Sequence, residues 1–148
     1  MKYKVTRRKL SPPICCPFCG ARVDCVDSEQ IYGAGHSYGY VWRCSRFPEC
    51  DSFVGCHKGT KEPYGTLANK ELRGWRMAAH DLFDVIWKQA PIKQRNIHRR
   101  NAYKRLSILL GIPKSECHIG RFDVERCKQA VEILKKNKNL VVKLGEKT

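Results

Sequence analysis

Two pairs of cysteines carry the clearest chemistry in this sequence. Cys16-Pro17-Phe18-Cys19-Gly20 sets two thiols in a short turn that ends on glycine. Cys44-Ser45-Arg46-Phe47-Pro48-Glu49-Cys50 sets two more in a slightly longer one. Short turns of this kind aim backbone N–H groups at sulfur, and four thiolates close a tetrahedral structural site around a metal ion. An all-sulfur set with no sign of redox work favours Zn²⁺. The 24 residues between Cys19 and Cys44 leave room for strands that bring the two turns together, which is the layout of a zinc ribbon. Cys16, Cys19, Cys44 and Cys50 are the expected ligands. Cys15, next to Cys16, and Cys56-His57, close after the second turn, are the competitors. Cys25 reads as a buried strand residue.

Nine cysteines could also mean a secreted disulfide scaffold. The count is odd, two pairs have metal-ligand spacing, and Met1 to Leu10 is charged rather than apolar. A reducing, cytoplasmic setting is therefore expected. No apolar run is long enough to span a bilayer, so no membrane partner is expected.

Charge points to the partner. The chain of 148 residues holds 29 Lys and Arg against 14 Asp and Glu, a net charge of +15. An excess of that size suits a polyanion, nucleic acid above all. Aromatic and basic residues interleave around the second cysteine pair: Tyr38, Tyr40, Trp42 and Phe47 with Arg43 and Arg46. Bases stack on such rings while cations neutralise phosphates. Tyr38, Tyr40 and Trp42 share a parity, so their face could equally be the ribbon's own core. A second basic group, Arg95, Arg99, Arg100, Lys104 and Arg105, falls within a stretch from Trp87 to Lys114 that has eight basic residues and no acidic one. On a helix it could lie along a phosphate backbone.

Enzyme chemistry has one clue. Arg76, His80 and Asp84 recur at four-residue steps, and a His-Asp pair so spaced can orient an imidazole as a general base. A nuclease or accessory subunit would use these two residues. No nucleophile or paired carboxylates accompany them, and Asp81, Asp84, Asp123 and Glu125 form no metal motif, so a polar helix stripe is the plainer reading. Cys117-His118 and Cys127 offer too few ligands for a second metal site.

These residues need positioning. Arg22 to Val26 alternates as a strand does, Ser37 to Arg43 is aromatic and β-branched, and Ser52 to Val54 makes a short return. Residues 58–66 read as a linker, by their Pro and two Gly. Leu72, Trp75, Ala79, Leu82, Phe83 and Ile86 build an apolar stripe on a first helix that Asn69 would cap. A second helix runs from about Gln94 to Leu110 and stops at Gly111. A third covers about Asp123 to Lys136, and Leu140 to Val142 could form a last strand. The expected fold is α+β: a basic arm over 1–13, a zinc ribbon of short antiparallel strands over 14–57, the linker over 58–66, and a basic, three-helix domain over 67–148.

Cys44-Ser45-Arg46-Phe47-Pro48-Glu49-Cys50, after Cys16-Pro17-Phe18-Cys19-Gly20, resembles the zinc ribbons at the C-terminus of bacterial type IA topoisomerases. That resemblance covers roughly residues 16 to 54. It implies binding of single-stranded DNA by a basic, aromatic face, with Arg43, Arg46 and Phe47 as contacts by position. The loop from Val26 to Ser37 is longer than in that family, and nothing resembles the topoisomerase catalytic domain. A second resemblance spans Cys16 to Leu134. Ile31-Tyr32-Gly33, Tyr38-Gly39-Tyr40, His57-Lys58-Gly59-Thr60, Gly65-Thr66-Leu67-Ala68, Ala79-His80 and Cys117-His118-Ile119-Gly120-Arg121-Phe122-Asp123 are similar to a family of zinc-finger-containing proteins of phages, prophages and bacteria. It implies a ribbon fused to a helical part, in phage or host DNA metabolism, and brings no activity with it. The expectation is zinc-dependent, non-catalytic binding of nucleic acid, single-stranded DNA first. Tyr40, Trp42, Arg43, Arg46, Phe47 and the five cations of the second helix are the candidate contacts. A module that binds a host protein is the alternative.

Overall fold

A computed structural model describes residues 11–136. The first ten residues of the expected basic arm and the expected strand at Leu140 to Val142 lie outside the described residues. The chain divides between Lys70 and Glu71 into two compact units. The fold is α+β, a small sheet in the first unit and helices in the second.

The sheet has three antiparallel strands in the order β1-β2-β3: β1 (Val23–Asp27), β2 (Tyr40–Cys44) and β3 (Phe53–Gly55). Val23 pairs with Cys44 and Asp27 with Tyr40 on one side of β2, and Arg43 pairs with Phe53 on the other. Between β1 and β2 the long loop holds a one-turn helix, α1 (Glu29–Tyr32). Asp27 starts it by accepting the Glu29 N–H at 2.9 Å and closes the loop by accepting the Ser37 hydroxyl at 2.9 Å. The buried Ser28 hydroxyl accepts the Tyr38 N–H at 2.6 Å, so the loop returns to β2 in a fixed place.

Residues 58–66, the expected linker, contain no helix or strand, but they fold back onto the sheet. The Tyr64 N–H reaches the Gly55 carbonyl at 2.9 Å, Pro63 is fully buried, and the Trp42 indole N–H donates to the Lys61 carbonyl at 2.8 Å. Ala68 then pairs with Phe53, and Leu67 enters the ribbon's core. Leu67 and Ala68 thus pack within the first compact unit, which ends at Lys70.

The second unit contains α2 (Lys70–Lys88, entering from the first unit), α3 (Arg95–Leu110) and α4 (Val124–Lys136). Gly111 ends α3 in a left-handed conformation (φ 70°), which lets its own N–H and that of Ile112 cap the last carbonyls. Asp123 caps α4 through its carboxylate, 2.8 Å from the Arg126 N–H. The core draws Leu72, Ala79 and Phe83 from α2, Ala102, Tyr103 and Leu106 from α3, and Cys127, Ala130, Val131 and Leu134 from α4.

One member of that core is charged. Arg76, which the sequence places on a polar stripe with His80 and Asp84, is 8 % exposed. Its Nε and a terminal nitrogen both donate to the Phe122 carbonyl, at 3.1 and 3.0 Å. Burial lowers the guanidinium to about 10, with Cys127 and Asp123 pulling the other way, so it stays charged at neutral pH. Arg76→Ala is expected to lower the unfolding free energy by about 2–3 kcal/mol, since it strands a buried carbonyl and removes two charge-assisted bonds. Urea unfolding followed by helical circular dichroism checks this, and an unchanged midpoint would show that Phe122 finds another donor.

Candidate metal centre and aromatic face

The first cysteine turn is closed by the Gly20 N–H on the Cys16 carbonyl and by the Cys16 N–H on the Ala21 carbonyl, both 2.8 Å. The second is closed by Phe47 N–H to Cys44 carbonyl at 3.0 Å and Cys50 N–H to Arg46 carbonyl at 3.1 Å. The two turns are joined by the Ser45 N–H on the Arg22 carbonyl at 2.8 Å. Cys44 ends β2 and Arg22 leads into β1, so the strand register itself sets one turn against the other.

The Sγ atoms of Cys16, Cys19, Cys44 and Cys50 all lie within 4.8 Å of one another. Cys16 and Cys50 are 3.7 Å apart, Cys19 and Cys44 3.4 Å. A tetrahedron with metal–sulfur bonds of about 2.3 Å has edges of about 3.8 Å, so the four thiols are positioned to bind a metal ion. No other group of three or more His, Cys, Asp or Glu comes together this way among the described residues. The competitors are placed elsewhere. Cys56 is buried beside Pro63, and His57 lies against Tyr64 at a tilt, with ring centres 4.5 Å apart. Cys117 and Cys127 are core residues whose thiols burial pushes up to about 11.

The charge state of the cluster depends on a cation. Burial pushes the Cys16 thiol up, but N–H groups of Phe18 and Cys19 and the neighbouring Ser52 and Cys50 side chains outweigh it and leave Cys16 at about 7. Burial pushes Cys44 up to about 12, reinforced by the sulfurs of Cys19, Cys50 and Cys16 and opposed by the Arg46 N–H. Cys16 is thus eased towards the thiolate and Cys44 held back from it. A divalent metal bound to both sulfurs would favour the thiolate in each.

Strand alternation separates the aromatic candidates. Arg43 and Phe53 are cross-strand partners on one face, while Tyr40 and Trp42 lie on the other. Trp42 is half-buried against the ribbon core, and Lys61 Nζ sits 5.2 Å from the Tyr40 ring centre. On the Arg43 face four rings run in sequence. Tyr38 meets Tyr32 at 5.7 Å, Tyr32 meets Phe53 at 6.3 Å, and Phe53 meets Phe47 at 6.3 Å, each pair edge to face. The Arg43 guanidinium lies over Phe47 at 5.7 Å and donates to Gln30 at 2.8 Å. Tyr38 and Tyr32 are 74 % and 52 % exposed. Gly39, at φ 108°, breaks the alternation that would have put Tyr38 with Tyr40. Arg46 is exposed in the second cysteine turn. Tyr32 and Phe53 are absent from the sequence-based candidates. Tyr32 belongs to a helix too short for periodicity to show, and the parity of Phe53 against Arg43 depends on register.

The five cations of α3 do not share one face. Arg95 Nε donates to the Ala90 carbonyl at 3.2 Å. The Arg99 guanidinium lies 5.2 Å from the Tyr103 ring centre. Arg105 is half-buried with its Nε enclosed. Arg100 and Lys104 are exposed.

The His80–Asp84 pair is looser than a general base needs. His80 Nδ1 stands 3.8 Å from Asp84 Oδ1, beyond hydrogen-bond range. That oxygen accepts the Trp87 indole N–H at 2.9 Å, and the other lies 3.8 Å from Lys88 Nζ. Burial lowers the pKa of His80; Asp84 opposes this, and Arg99 and Arg76 add to it.

A family model described as a zinc-finger-containing domain matches residues 12–137. No curated protein and no solved structure gives a match. Among the described residues, no helix is long and apolar enough to cross a membrane.

Cys19→Ser and Cys44→Ser are each expected to abolish stoichiometric zinc binding and the amide dispersion of the ribbon, whereas Cys56→Ser keeps both. Acidification should release the metal, because protons compete for the same thiolates. Metal analysis with amide NMR reads all of these, and full zinc content in Cys44→Ser would remove it from the ligand set.

Proposed function

The chain belongs to the zinc-finger-containing domain family, and on that footing we propose that it is a zinc-dependent, non-catalytic nucleic-acid-binding protein that prefers single-stranded DNA. Zinc suits the all-sulfur, near-tetrahedral donor set, and it holds the ribbon rather than a substrate. The observation that carries the reading is the run of rings Tyr38–Tyr32–Phe53–Phe47 with Arg43 over its end. Each edge-to-face contact covers part of one ring, but Tyr38 and Tyr32 stay 74 % and 52 % exposed, and unpaired bases are the planar groups that come in series.

Charge supports the same assignment. Residues 11–70 hold six basic and six acidic side chains, while residues 71–136 hold fifteen and seven. The ribbon's strands and cysteine turns lie within that balanced stretch, where exposed rings suit stacking, and the five basic residues of 1–10 precede it. The helical unit suits phosphate attraction. Stacking requires bases whose faces are not already covered by neighbours in a duplex, so a single strand is favoured. DNA stands ahead of RNA on the resemblance of the second cysteine turn to topoisomerase ribbons. A role in phage or host DNA metabolism, inside the cytoplasm, fits a ligand of this kind.

Zinc-loaded protein is expected to bind a labelled single-stranded DNA more tightly than the matching duplex or RNA in anisotropy titrations. Tyr32→Ala and Phe47→Ala should each weaken that binding by about 1–3 kcal/mol while leaving its salt dependence unchanged. Equal affinity for duplex, or full affinity in both variants, would contradict the stacking assignment. No binding to any of the three at physiological salt would turn the reading towards a protein partner.

A further inference from the structure

We infer that the phosphate contacts of α3 are made by Arg100 and Lys104, and that Arg95 and Arg99 are positioning residues, held to the Ala90 carbonyl and the Tyr103 ring, that touch no ligand. This rests on the nucleic-acid reading above and assigns part of it to particular side chains.

The sequence presents these four cations and Arg105 as one cluster; Arg105 is half-buried with its Nε enclosed, and the surroundings of the other four divide them into two pairs. Arg95 is half-buried and its Nε serves the Ala90 carbonyl, which closes the turn between α2 and α3. Arg99 is itself exposed, but its guanidinium lies over Tyr103, a residue 5 % exposed whose ring centre is 4.2 Å from that of Phe83. A guanidinium held over a core ring, or hydrogen-bonded to a chain-reversing carbonyl, would have to leave that partner to meet a phosphate. Arg100 and Lys104 stand one turn apart on the outward side of the same helix, both exposed. At 100° per residue they share a narrow arc with Ile97 and Ile108, which are 51 % and 61 % exposed. That arc spans about 16 Å of helix from Ile97 to Ile108. No acidic residue occurs anywhere in α3 to compete for the two cations. An extended anion laid along the arc meets both cations and covers both isoleucines, and a nucleic-acid backbone has that shape and charge.

The test compares two double variants that remove the same charge from the same helix. Arg100→Gln/Lys104→Gln should reduce the slope of log affinity against log salt by about 1.4 on single-stranded DNA, at about 0.7 for each phosphate no longer neutralised. Its thermal midpoint should match the wild type. Arg95→Gln/Arg99→Gln should leave the slope within experimental error and lower the midpoint instead. Because the net charge is the same in both, a general loss of electrostatic attraction would move the two slopes equally, and that result would overturn the assignment. An unchanged slope in Arg100→Gln/Lys104→Gln, with wild-type protein binding well, would also overturn it while leaving the stacking face intact. Failure of the wild-type protein to bind would defeat the nucleic-acid reading and this one together.

Discussion

The ribbon depends on four sulfurs being held together at tetrahedral distance. Its core consists of Cys16, Val23, Cys44 and Leu67, with Ala21, Trp42, Cys50 and Val54 packed partly against it. Two of the four buried members are themselves thiols of the cluster. The remaining two aliphatic side chains contribute about 1.5–3 kcal/mol each by burial. A structural zinc site contributes about 10–16 kcal/mol in small domains, which outweighs them. A zinc ion bound to the four thiols would therefore hold β1, β2 and β3 in register, and register decides which aromatic side chains share a face.

That dependence links the metal to the proposed function without placing the metal near a ligand. Cys44 ends β2, so fixing it fixes Arg43 and Trp42 on opposite faces. Phe47 sits in the cysteine turn itself and reaches Phe53 on β3. Tyr32 and Tyr38 arrive from the long loop, held by Asp27 and Ser28. The helical unit is built differently, around Phe83, Tyr103, Phe122 and the buried charge of Arg76. It has an ordinary apolar core and carries the excess of positive charge.

Much of this was legible in the sequence. The cysteine spacing pointed to the four thiols that the fold brings together, and the 3.6-residue periodicity located α2, α3 and α4 to within a residue or two at most ends. What was not legible was anything that depends on contacts between distant residues. Arg76 reads as a surface cation until Phe122 is brought to it. Residues 58–66 read as a spacer because Pro and Gly exclude regular structure, yet irregular chain can pack as closely as a strand, as Pro63 does. The cations of α3 look alike in sequence, and only the positions of Ala90 and Tyr103 tell them apart. The aromatic parity of Tyr38, Tyr40 and Trp42 failed at one residue, Gly39, whose positive φ turns Tyr38 away.

The central claim is that a metal-held ribbon offers a run of rings to unpaired bases. Aromatic NMR spectra of the zinc-loaded protein, recorded while an oligothymidylate is added, test it most directly. The account predicts saturable shifts in the ring resonances of Tyr32, Tyr38, Phe47 and Phe53, with Trp42 much less affected, and loss of the response when zinc is chelated. Shifts confined to residues of the helical unit, or a response that persists without metal, would contradict it.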